Sequence, residues 1–145
     1  PIDSEYATML KDICQKWHLT DKVHFTGQIP YERINQLYIE NDVFIFSSVE
    51  RESFPLTILE AMAAGLLVIS TVNGGQREAI AENETGLFFS AGDSNSLSET
   101  IKKILDCPDI FEKITGKAKK VVKEKFTIEK MQTNINDYIS NIAIN

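Results

Sequence analysis

Two uninterrupted apolar runs, Val43-Phe44-Ile45-Phe46 and Leu66-Leu67-Val68-Ile69, set the strongest limit on how this chain folds. A strand with one face in water alternates polar and apolar residues. A short run with no polar member has protein on both faces, as in a parallel sheet covered by helices. Parallel neighbours need a crossover of about a dozen residues or more, usually a helix. The intervening segment supplies one, since Leu56 to Ala64 is rich in Leu, Ala and Met, and Gly65 stands where a left-handed cap is expected. The runs therefore predict an α/β fold built on a parallel sheet.

The rest of the chain extends this pattern. Tyr6, Met9, Leu10, Ile13, Cys14 and Trp17 recur at helical spacing between Ser4 and Leu19. Val23-His24-Phe25-Thr26 reads as a short strand ended by Gly27, and Glu32 to Glu40 reads as a helix with Ile34, Leu37 and Tyr38 on one face. Gly74-Gly75 predicts a turn followed by a short helix to Ala81, and Leu87-Phe88-Phe89 a third brief strand. From residue 94 the pattern is helical only. Ser94 or Ser96 caps one helix, Pro108 breaks it, a Lys-rich helix runs to Lys125, and Thr127 caps the last. At 145 residues the expectation is a single domain, with 94–145 as its helical C-terminal part.

Charge and cysteine content exclude several classes. The formal net charge is −6, a poor starting point for nucleic-acid binding, where a basic stripe is expected. The charge is uneven, with a net of −9 over residues 1–100 and +3 over 101–145. Lys113, Lys117, Lys119, Lys120, Lys123 and Lys125 form either a solvated helix face or, in a sharper reading, a peripheral contact with an anionic membrane surface. Cys14 and Cys107 stand far apart without a partner His at ligand spacing, so neither a zinc site nor a disulfide framework is expected. The first residues lack a signal-peptide pattern, which predicts a cytoplasmic location, at the inner face of the membrane if the lysines bind lipid.

The chemistry concentrates in residues 47–65, which read as a strand end, a loop and a helix start. Ligands of open α/β sheets bind outside the carboxyl ends of the strands. A helix N-terminus there offers free N–H groups and a positive dipole end to a phosphate. Pro55 has no N–H, so Leu56 and Thr57 are the expected donors. Two carboxylates flank them, Glu52 in the loop and Glu60 about one turn inside the helix. Carboxylates repel a diphosphate but accept charge-assisted bonds from vicinal hydroxyls, so their expected partners are sugars.

The stretch Glu52-Ser53-Phe54-Pro55-Leu56-Thr57-Ile58-Leu59-Glu60-Ala61-Met62 resembles the E-x7-E signature of family 4 (group 1) glycosyltransferases of GT-B fold. Its neighbours agree in order. Val23 to Gly27 is similar to the family's strand ending in Phe-x-Gly, and Asn41-Asp42-Val43-Phe44 to its A-D-V-F strand. Val68 to Gly75 with Glu78 is similar to its P-V-I-…-G-G-…-E stretch, and Thr85-Gly86-Leu87 to its T-G-L-L. The match covers roughly residues 1–105. It implies a Rossmann-like sheet, the C-terminal half of a GT-B fold, holding a nucleoside diphosphate sugar donor. In that family Glu60 would take the ribose hydroxyls and Glu52 would sit against the donor sugar as the catalytic-site carboxylate. Phe54, Pro55, Leu56 and Thr57 would meet the phosphates or sugar, and Gln28 and Ile29 would edge the base. The implied reaction transfers a glycosyl unit to an acceptor hydroxyl with retention, as in polysaccharide or glycolipid synthesis, with no metal and no cofactor.

The chain departs from the family pattern in three ways. Leu67 stands at a usual Pro, Ser53 at a usual Gly, and the Val49-Glu50-Arg51 loop is slightly long. The family's first two strands, with a phosphate-neutralising Gly-Arg and Lys, have no counterpart here, and neither has its acceptor-binding N-terminal domain. The expectation is therefore a piece of a longer protein holding roughly four of six strands, with the missing pair between Val23–Thr26 and Val43–Phe46. Two other readings stay open: a non-catalytic nucleotide-sugar-binding module that needs a partner chain, and a sugar-nucleotide epimerase of related fold.

Overall fold

A computed structural model describes residues 4–143. The chain divides into two compact units, 1–34 and 35–145.

The first unit contains α1 (Ser4–Lys16) and an irregular segment leading to the start of α2 (Tyr31–Ile39), a helix that continues into the second unit. Helix α1 forms over most of the segment whose spacing predicted it, and Tyr6, Met9 and Ile13 along it, with Trp17 just past its end, are exposed. It ends in a turn where His18 adopts φ 53°, with the Leu19 N–H donating to Cys14 O at 2.8 Å. The strand expected over Val23–Thr26 does not form. Its residues are exposed, and no pairing joins them to another strand among the described residues. Apolar alternation alone does not make a strand, because the N–H and C=O groups need a ladder partner.

The second unit holds the sheet. Strands β1 (Val43–Phe46), β2 (Leu67–Ser70) and β3 (Leu87–Phe88) lie in the order β1-β2-β3, all parallel. The described sheet therefore has three strands rather than four. Val43 pairs with Leu67 and Phe46 with Ser70, and Ile69 pairs with Leu87. Strand β2 is central and buried on both faces, as its sequence requires. Strand β1 has β2 as its one strand neighbour among the described residues, and Val43 and Ile45 remain 38% and 41% exposed.

Helix α3 (Leu56–Ala64) connects β1 to β2 and packs on both. It stops at Gly65, whose φ of 98° lets the Gly65 and Leu66 N–H groups close back on Ala61 O. At the start of β2, the Leu67 N–H donates to Asp42 O at 2.9 Å, a bond that the family's Pro could not make. Short α4 (Gln76–Ala79) leads to β3, and α5 (Ser94–Asp106) and α6 (Pro108–Lys125) follow. Leu67, Ile69, Leu87, Phe89, Ile104 and Ile114 form the core where these two helices meet the sheet. The cap of α5 is Asp93, accepting from the Asn95 and Ser96 N–H groups, rather than either serine. Pro108 occupies the first turn of α6, so it opens that helix as well as closing α5. Helix α7 (Ile128–Ala143) closes the described chain with Ile128, Met131, Ile135, Tyr138, Ile139 and Ile142 exposed along it.

Candidate functional site

The loops that follow β1 and β2 both emerge at the carboxyl end of the sheet, where an open α/β fold places its ligands. They are bound to each other. The Thr71 N–H donates to Phe46 O at 3.0 Å, and its hydroxyl to Ser48 O at 2.6 Å. Asn73 Nδ2 reaches the same Ser48 oxygen at 3.1 Å. Ser48 in turn directs its Oγ toward Glu52 Oε1 at 3.1 Å, with Glu50 O at 3.3 Å as the alternative acceptor. The Glu52 carboxylate is thus held by Ser48, two residues past the end of β1.

The glycine pair completes this arrangement. The Gly75 N–H donates to Glu52 O at 3.0 Å. A Cβ on Gly74 would lie 1.9 Å from Glu52 O, and one on Gly75 would lie 1.9 Å from Ser53 O. Any side chain here would collide with backbone, so the β2 loop presses on the β1 loop at the two residues that follow Arg51. The sequence marked Gly74-Gly75 as a turn; its use as a backbone-to-backbone contact depends on a neighbour that local sequence does not reveal. Between the loops lies a cleft of ≈ 460 Å³ lined by Arg51, Glu52, Ser53, Gly74, Gly75 and Glu78.

Past the cleft, Pro55 caps α3 in an extended conformation (φ −76°, ψ 106°) and offers no side-chain bond to the helix. The N–H groups of Leu56 and Thr57, at the first two helical positions, lack an intrahelical acceptor. Both residues are exposed. Glu60, the fifth residue of α3, is half-buried, and its Oε2 accepts from the Tyr38 hydroxyl at 3.1 Å. Tyr38 went unmarked in the sequence beyond its place on an apolar helix face.

Phe54, Gln28 and Ile29 are the remaining expected site residues. The Phe54 ring stacks on Phe126 at 6.0 Å and, with Leu56, lines a separate apolar cavity of ≈ 750 Å³ bounded by α7 residues such as Ile128, Met131 and Ile135. That cavity is the larger, but Lys125 is its one charged lining residue, so the polar chemistry belongs to the smaller cleft. Gln28 and Ile29 belong to the first unit, Gln28 exposed and Ile29 half-buried just after Gly27, which turns the chain at φ 64°. Among the described residues, no group of three or more His, Cys, Asp or Glu is gathered to hold a metal ion.

The family model described as "Glycosyl transferases group 1" matches residues 3–121. The chain belongs to the group 1 glycosyltransferases. The match runs past the stretch where the resemblance was legible and includes most of α6. Among curated relatives, this group 1 chain is 31% identical over 127 residues to the N-acetyl-alpha-D-glucosaminyl L-malate synthase of Bacillus anthracis, covering 88% of this chain and 32% of that protein. It spans about a third of the length of the curated relatives it matches. The C-terminal domain of the group 1 glycosyltransferase LpcC from Francisella tularensis superposes with a TM-score of 0.81 at 26% identity, over 88% of this chain and 66% of that one. Alr3699/HepE of Anabaena, solved in complex with UDP, superposes with a TM-score of 0.88 over 96% of this chain and 38% of that one. At 23% identity the HepE likeness speaks to fold alone, and that fold is GT-B.

Proposed function

We propose that this chain is the donor-binding part of a glycosyltransferase that moves a glycosyl unit from a nucleoside diphosphate sugar to an acceptor hydroxyl, with retention. One observation carries the reading. In a group 1 chain, two partnered carboxylates flank the open N-terminus of α3 at the carboxyl end of a parallel sheet. The Leu56 and Thr57 amides suit the diphosphate. Glu60 suits the ribose diol and Glu52 the donor sugar, each as a hydrogen-bond acceptor. HepE, which shares the fold, has been solved with UDP and with UDP-glucose. Glu52 and Glu60 would then lie along one ligand and would not straddle a scissile bond as a hydrolase pair does.

A second reading draws on charge. The cleft sets Arg51 against both Glu52 and Glu78, while the Arg77 guanidinium lies 5.5 Å from the centroid of the Phe88 ring. A diphosphate would gain little neutralisation from such a lining. The binding-module reading, in which a partner supplies the cations and the acceptor site, follows from that deficit.

The test is a calorimetric titration with UDP-, GDP-, ADP- and dTDP-sugars, repeated with Glu60→Ala. One nucleotide class should bind, and the variant should bind it at least about tenfold more weakly, the scale of a lost bond to a charged group. Equal binding by both proteins would sink the ribose assignment. Isomer formation from a sugar nucleotide alone would favour an epimerase instead.

A further inference from the structure

Glu60 is held by a residue that the donor site does not otherwise use. Tyr38, near the end of α2 and 22 residues away in sequence, is 8% exposed and places its hydroxyl 3.1 Å from Glu60 Oε2. Its ring meets Phe44 of β1 edge-on, with centroids 6.0 Å apart and planes at 79°. Phe44 in turn leans on Phe46, two residues along the same face of the strand, at 6.5 Å and 31°. A phenylalanine would fill the same apolar space as Tyr38. The buried hydroxyl therefore needs a partner to offset its desolvation, and the carboxylate is one.

The geometry has a consequence for binding. A glutamate on a helix surface samples several rotamers, and fixing it on a ligand costs conformational entropy at the moment of binding. Here a donor mounted on a braced aromatic ring fixes one oxygen beforehand. Oε1 has no donor among the described residues and is left, with the spare lone pairs of Oε2, for an incoming diol.

We infer that Tyr38 is a positioning residue that presets Glu60 for the two hydroxyls of a ribonucleotide, and so governs discrimination against nucleotides that lack them. This inference rests on the donor-site reading of Glu60. Tyr38 touches no ligand in this arrangement; it acts through the carboxylate.

The experiment titrates the full chain with UDP, GDP and ADP, each beside its 2′,3′-dideoxy counterpart, for wild type, Tyr38→Phe, Glu60→Ala and the double variant. The phenylalanine keeps the ring against Phe44, and thermal melting checks that it does. Wild type should prefer the ribo form of one nucleotide. Tyr38→Phe should bind that ribo form about three- to tenfold more weakly and the dideoxy form unchanged, so the preference falls. Glu60→Ala should abolish the preference, and adding Tyr38→Phe to it should change nothing further. A Tyr38→Phe protein that keeps the wild-type preference, or weakens on both forms equally, overturns the inference while the Glu60 assignment stands. A Glu60→Ala protein with the wild-type preference, or a wild type that binds no ribonucleotide, removes the donor-site reading and this inference with it.

Discussion

Alanine at Gly74 tests the contact on which the site rests. The added Cβ would sit 1.9 Å from Glu52 O, 2.9 Å from its carbonyl carbon and 3.1 Å from its nitrogen. Real contacts of this kind essentially never fall below 3.0 Å, so the 52–53 backbone must retreat by about an ångström. Backbone cannot yield by rotating a side chain. The retreat costs about 1–3 kcal/mol as overpacking. It also strains the Gly75 N–H bond to Glu52 O, worth about 1 kcal/mol more. Two other glycines calibrate the measurement. A Cβ at Gly65 meets nothing within 4 Å, but φ of 98° penalises alanine by about 1 kcal/mol. Gly116 lies inside α6 with open space around its Cβ, so alanine there should stabilise by about 0.5–1 kcal/mol. Urea unfolding followed by circular dichroism should therefore rank the proteins Gly116→Ala, wild type, Gly65→Ala, Gly74→Ala, from most to least stable. A Gly74→Ala protein no less stable than Gly65→Ala would mean that the loops slide past each other freely, and the argument for a fixed Glu52 would fail.

Further substitutions probe three separate parts of the second unit. Gln76 is fully buried and neither Nε2 nor Oε1 has a partner among the described residues, so Gln76→Met should raise stability by about 1–3 kcal/mol in the same denaturation assay; a loss would show that the amide is satisfied by water or ligand. Asp93→Ala removes the α5 cap and should cost about 1 kcal/mol, whereas Ser94→Ala should leave stability within about 0.5 kcal/mol. The Glu84 carboxyl is held below its ordinary range by the Lys117 ammonium, first through their hydrogen bond at 2.6 Å and then through charge attraction. A depressed pKa contributes stability above the unfolded value, and that contribution is lost as pH falls through the folded value. Wild type should therefore melt above Glu84→Gln near pH 7 and converge with it as pH drops below about 4; a difference that persists in acid would refute the pairing.

The parts of the fold legible in the sequence are those decided within a few residues. The run Val43–Phe46, the cap at Gly65 and the run ending at Ile69 all appear where expected, but burial on both faces holds for β2 alone, since Val43 and Ile45 leave one face of β1 exposed. Val23–Thr26 shows the opposite case. Its composition suits a strand, but strand formation is settled by a hydrogen-bonding neighbour, and none of the described residues provides one. Asp93 was missed for a smaller reason of the same kind. Asp93, Ser94 and Ser96 stand within four residues and can all cap, and the choice depends on where α5 must start for Leu97, Ile101 and Ile104 to reach the core.

The candidate site divides along the same line. Glu52, Glu60 and the open amides at Leu56 and Thr57 were legible because their spacing across a loop and a helix start is a local fact. What holds them was not. Glu60 depends on a tyrosine from the preceding helix, Glu52 on Ser48, and the Glu52–Ser53 backbone on two glycines beyond the next strand. Phe54 was legible as a position, while the partner of its ring, Phe126, stands 72 residues on and was not. These supports share a property: Tyr38, Ser48, Gly74 and Gly75 all stand outside residues 52–60. A local pattern can therefore propose groups for a ligand, while what holds those groups is a property of the tertiary fold and has to be tested at Tyr38 and Gly74 rather than at the two glutamates.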